Sequence, residues 1–95
     1  MYIQDVIWLE EIEDKIISKH RVWPEEAEQA LMKRPHVRFM ESGHRPGEDL
    51  YAAFGQTDAG RYLAVYFILK PHNEALIIPA RDMTEKERRT YGKRR

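Results

Sequence analysis

The chain has 95 residues, enough for one modest domain with a single core and too few for two. It carries 16 basic and 16 acidic residues and no cysteine, which excludes a disulfide framework, a thiol nucleophile and a cysteine metal site. The zero net charge hides an asymmetry: residues 1–32 hold eight acids against three bases, whereas from Arg81 onward seven bases face three acids. That polarity points to an anionic partner at the C-terminal end, or to a charged tail with none. No apolar run approaches the roughly 20 residues of a membrane span. The opening MYIQDVIWLEE also lacks the basic start and apolar core of a signal peptide. A cytoplasmic protein with no membrane partner is expected.

Residues 5–9 are short, apolar and rich in Val, Ile and Trp, which suits a brief first strand or a lead-in over the core, with Trp8 structural. Leu9, Ile12, Ile16 and His20 then fall at helical spacing, with Glu10, Glu11, Asp14 and Lys15 on the solvated face. Pro24 fits the first position of a second helix, with Glu25 and Glu26 in its first turn and Ala27, Ala30 and Leu31 as its buried stripe. Pro35 ends it.

Residues 37–40 read as a strand, residues 41–49 as a flexible loop, and residues 50–56 as a second strand. Thr57-Asp58-Ala59-Gly60 has the chemistry of a tight hairpin, since Gly60 takes positive φ freely. Strands over 62–69 and 75–80 follow, the last with an edge or a bulge at Pro79, which has no N–H for the ladder. Thr84 and Glu87 make a capping box that starts a third helix running to about Tyr91. Residues 92–95 read as a disordered basic tail. The sum is a single α+β domain over residues 1–95. Two N-terminal helices and a C-terminal helix lie on one face of a four-stranded antiparallel sheet.

Two arginines flank the last strands, Arg61 before one and Arg81 after the other. Antiparallel pairing puts both at one sheet edge, where a permanently charged guanidinium is suited to grip phosphate with two parallel hydrogen bonds. His36, His44 and His72 share no metal-ligand spacing, and Gly43 and Gly47 form no phosphate-cradling motif. Neither a metal nor a cofactor is expected.

The residue order resembles the BrnT family of bacterial type II toxins, small ribonucleases with a RelE-like fold. The likeness rests on Trp8, Lys19-His20, Val22 and Pro24-Glu25-Glu26-Ala27 at the front. At the back it rests on Gly55-Gln56-Thr57, Gly60-Arg61, Ala80-Arg81 and Glu87-Arg88-Arg89-Thr90-Tyr91. Typical members carry an acidic residue, a lysine and an asparagine where Leu9, Ile12 and Ile16 stand here. They carry a glycine where Arg21 stands, and a shorter loop than ESGHRPGED. The resemblance implies endonucleolytic cleavage of messenger RNA and restraint by a ribbon-helix-helix antitoxin. The complex of the two would bind operator DNA.

Cleavage of this kind needs an activated 2′-hydroxyl, stabilised charge on phosphorus and a proton for the leaving oxygen. The candidates are Arg61 and Arg81 for charge, His20 for proton transfer near neutral pH, and Tyr91 for a proton or a stacked base. Lys19, Tyr51, Lys86, Arg88 and Arg89 are the candidate RNA-binding residues. Each has a plainer alternative. His20 would pack or cap its helix, the arginines would pair with Asp58 and Asp82 on the surface, and Tyr91 would anchor its helix. Tyr62, Ala64 and Tyr66 share one strand face, which is either covered by a helix or open to RNA or an antitoxin. The replacements at Ile12 and Ile16 keep open a second reading: a non-catalytic RNA- or antitoxin-binding protein on the same fold.

Overall fold

The computed structural model describes residues 1–94. In chain order it runs β1 (Asp5–Ile7), α1 (Glu10–His20), α2 (Pro24–Met32), β2 (His36–Glu41), β3 (Leu50–Gln56), β4 (Tyr62–Lys70), a 3-10 turn (Pro71–Asn73), β5 (Glu74–Asp82) and α3 (Glu85–Arg94). The third helix thus continues through Gly92 and Lys93 rather than fraying after Tyr91. Arg95, the end of the expected tail, lies outside the described residues.

The sheet has five strands in the order β1-β5-β4-β3-β2. β2 to β5 form the expected antiparallel meander, but β1 adds to β5 in parallel, through Asp5, Val6 and Ile7 against Glu74, Ala75 and Leu76. The sheet is therefore mixed, and β5 is an inner strand. Pro79 is accommodated by a bulge: the pairing shifts between Val65 and Phe67, so Ile78 and Pro79 together oppose Tyr66.

The helices lie on both faces, not one. α1 and α2 cover the first face with Ile16, Val22, Ala27, Ala30 and Leu31 against Ala53, Leu63, Val65, Phe67, Ala75, Ile77 and Ala80. Neighbouring residues in a strand point to opposite faces. Ala52, Phe54 and Ala64 accordingly form a second cluster with Met83 and Tyr91 beneath α3. Trp8 packs against the first core and donates its indole N–H to Glu28 at 2.6 Å.

Gly55 sits where α2 presses closest to the sheet: a Cβ there would overlap the carbonyl oxygen of Ala30. The following turn closes through Thr57 N–H to the Arg61 carbonyl at 2.9 Å and Gly60 N–H to the Thr57 carbonyl at 2.9 Å, with Gly60 at φ 95°. Its tip is tied to α2 by the Asp58 N–H to Gln29 hydrogen bond and by a Lys33–Asp58 ion pair. The turn thereby delivers Arg61 to the junction of four elements.

Candidate active site at the strand ends

α1 ends with Arg21 in the left-handed region, at φ 55°. The Arg21 N–H bonds the Ile17 carbonyl, the 5→1 bond of an αL cap, and the Val22 N–H adds a bond to the carbonyl of Ile16. The position is one that glycine fills without strain. α2 begins three residues later at Pro24, and the Glu26 carboxylate accepts the N–H of its cap residue Trp23 at 3.0 Å.

Arg61 binds this junction together. Its Nε and one terminal nitrogen donate to the two carboxylate oxygens of Asp82 at 2.8 and 3.2 Å. Its other donations reach the carbonyl of His20 at 3.2 Å, that of Arg21 at 2.8 Å and the Glu26 carboxylate at 3.0 Å. A guanidinium has five N–H donors, and all five are occupied. The end of α1, the start of α2, the start of β4 and the end of β5 thus share one cation. Asp58, the alternative partner, is turned away to Lys33.

His20 is half-buried beside this hub. The Asp82 carboxyl is held below its ordinary value chiefly by the hydrogen bond from Arg61, which outweighs desolvation, with smaller help from the charges of Arg61 and His20. The structure thus sets a histidine with a fixed main chain close to a carboxylate. Lys19 and Arg21 flank it in sequence, both exposed.

Arg81 occupies the other face. It forms a two-point pair with Glu87 at 2.8 and 3.0 Å, and donates to the Tyr66 hydroxyl at 2.8 Å and to the Asp82 carbonyl at 3.0 Å. Glu87 closes the capping box with Thr84 in both directions, so Arg81 ties the start of α3 to the sheet. Its pKa is raised and that of Glu87 lowered, in each case chiefly by their mutual hydrogen bond.

The two arginines therefore share a strand end and not a concave surface, because successive positions on β5 alternate between the faces. Tyr91 is 7% exposed and meets Tyr62 edge-on at 6.0 Å, so its ring anchors α3 and presents no open stacking face. Tyr51 lies on the α1/α2 face toward the opposite end of β3, stacked on Phe67 at 5.7 Å and separated from the strand-end group. On α3, Lys86, Arg88 and Arg89 are exposed; the Arg88 guanidinium lies 4.2 Å over the Tyr62 ring, and Arg89 pairs with Glu85 at 3.6 Å. Tyr62 and Tyr66 are half-covered by this layer, and Ala64 is buried. Among the described residues no three His, Asp or Glu side chains gather as metal ligands would. Nor is any helix there long and apolar enough to cross a membrane.

A sequence model of the ribonuclease toxin BrnT of type II toxin-antitoxin systems matches residues 8–87. The chain belongs to the BrnT family. Membership of a type II system implies an antitoxin partner and an RNA substrate. The fold is similar to that of the crystal structure of the Brucella abortus ribonuclease toxin BrnT, with 19% identity and a TM-score of 0.62 over 85% of this chain and 97% of that one. No curated protein sequence matches the chain.

The BrnT-like motifs now have physical reasons. Gly55 admits α2, Thr57 and Gly60 shape the turn, Arg61 fills the hub, and Glu87 joins Arg81 to α3. Sequence reasoning offered Asp82 as a surface partner for the arginines, which Arg61 takes, but missed Glu26 as a partner of Arg61. Asp82 follows Arg81 directly, and Glu26 stands at the third position of α2, where acids reach back to the helix start.

Proposed function

We propose that this chain is an endoribonuclease that cuts messenger RNA and so arrests growth, with His20 as the proton-transfer group. The observation that carries the reading is the Arg61 hub. It fixes the carbonyl of His20 while gathering Asp82 beside it. In the scheme, a neutral His20 takes the proton of a 2′-hydroxyl, whose oxygen attacks the adjacent phosphorus. The bond to the 5′-oxygen breaks, the leaving oxygen takes the proton that His20 holds, and a cyclic phosphate remains. The scheme calls for no metal.

Arg61 serves as a positioning residue here, since its donors are occupied. The exposed cations Lys19 and Arg21 on one side, with Lys86, Arg88 and Arg89 on the other, concentrate the RNA backbone at the strand ends. A ribbon-helix-helix antitoxin in the cytoplasm restrains the activity, and the complex binds operator DNA. The test is cleavage of a labelled transcript by the purified chain in excess chelator, alongside growth after induction. The reading predicts cutting and arrest, both lost in His20→Gln.

A second reading, binding without catalysis, is favoured by one observation. Ile16 is 1% exposed and Ile12 packs on the same core, so α1 offers apolar side chains where typical BrnT members carry a lysine and an asparagine. It predicts RNA or antitoxin binding with no cleavage and no arrest.

A further inference from the structure

β2 closes the sheet at one side, and among the described residues nothing pairs with its outer edge. Such an edge presents a row of N–H and C=O groups that a further strand can satisfy. Hollows flank β2 on both faces. One, of about 650 Å³, lies against α3 and is lined by His36, Arg38, Phe54, Lys86 and Tyr91. The other, of about 530 Å³, lies against α2 and the N-terminal segment and is lined by Tyr2, Leu31, Met32, Pro35 and Val37. An extended chain laid along β2 would send alternate side chains into the two hollows, the geometry of peptide recognition by strand addition.

The rim tells which chemistry fits. Arg34, Arg38 and Lys86 have no carboxylate partner among the described residues, whereas the one acid of the first hollow, Glu87, is held by Arg81. The second hollow is lined mostly by apolar side chains with Arg34 among them, and Tyr2, Met32 and Phe39 around β2 are 70%, 50% and 53% exposed.

We propose that the outer edge of β2 docks an extended segment of the antitoxin in which acidic and apolar side chains alternate. This rests on the antitoxin part of the function proposed above. The pairing shift between Phe39 and Glu41 ends the regular edge, so residues 36–39 carry the added strand. A second copy of this chain fits less well, since pairing β2 with itself would crowd Arg34 and Arg38 of both copies. RNA fits less well too, because it leaves the apolar hollow unfilled.

The test uses the full chain and the antitoxin encoded beside it, purified together and compared with the free chain by amide hydrogen exchange. The proposal expects residues 36–39 to exchange at least about tenfold more slowly in the complex, and Arg38→Glu to weaken binding about tenfold, less so at high salt. A complex that forms while β2 exchanges as in the free chain overturns this proposal and leaves the antitoxin reading intact. Absence of any complex overturns both. Protection of β2 by poly(U) alone, or in a dimer of the free chain, assigns the edge to RNA or to a second copy and also overturns it.

Discussion

Arg61 and Arg81 reach Asp82 from opposite sides of the sheet: Arg61 grips both carboxylate oxygens, at 2.8 and 3.2 Å, and Arg81 donates to the main-chain carbonyl at 3.0 Å. One residue at the end of β5 thus couples the layer that holds His20 to the layer that holds α3. Changes at either arginine are expected to be felt in both layers.

Arg61→Lys keeps the charge and loses the five-donor fork. Removing several charge-assisted hydrogen bonds from a half-buried hub should lower unfolding free energy by roughly 1.5–3 kcal/mol. Urea unfolding measures this. In the cleavage assay kcat should fall while RNA affinity holds, because Arg61 has no donor left for phosphate.

Arg21 is held at φ 55°. A side chain in the left-handed region costs about 1 kcal/mol relative to glycine, less the entropy that glycine loses on folding. Arg21→Gly should therefore stabilise the chain by roughly 0.5 kcal/mol, seen as a higher urea midpoint with an unchanged slope.

Gly55→Ala should do the reverse. The added methyl meets the Ala30 carbonyl, which is helix backbone and cannot turn aside. α2 must shift outward, at a cost of about 1–3 kcal/mol, typical of overpacking. Thermal unfolding measures the loss, and Gly60→Ala, at a positive-φ turn where an added Cβ meets only Gln56 Nε2 at an ordinary 3.8 Å, provides a milder comparison.

Acid should loosen both arginine pairs. The carboxyls of Asp82 and Glu87 lie below their ordinary values of 3.8 and 4.5, chiefly through hydrogen bonds from Arg61 and Arg81 respectively. The unfolded chain then binds protons more readily than the folded one. The pairs' contribution is full above about pH 5 and is lost as pH falls through the lowered values, below about pH 4. Asp82→Asn and Glu87→Gln should be less stable than the parent at about pH 6 and lose less on going to about pH 3.

Much of this was legible beforehand, and the reasons for the rest are specific. The capping box of Thr84 and Glu87, Pro24 at the start of α2, the turn at Gly60 and the bulge at Pro79 follow from local backbone chemistry. β1 was legible as a short strand but not as the parallel neighbour of β5, because three residues do not spell out their partner. The placement of α3 on the second face depends on the alternation of Ala52 and Ala53, two identical side chains in separate cores. Arg61 and Arg81 were legible as a pair, yet their roles depend on Glu26, Asp82 and Glu87, whose partners lie 35, 21 and six positions away in sequence.

The central claim is that His20, held by Arg61, moves the proton in RNA cleavage. The most direct measurement is the single-turnover rate of transcript cleavage by His20→Gln against the parent across about pH 5 to 8, with both proteins' melting temperatures. The account predicts a rate lower by about 10²- to 10⁴-fold across this range and a melting temperature within a few degrees of the parent's. A variant that cleaves at the parental rate with the parental pH profile would contradict it.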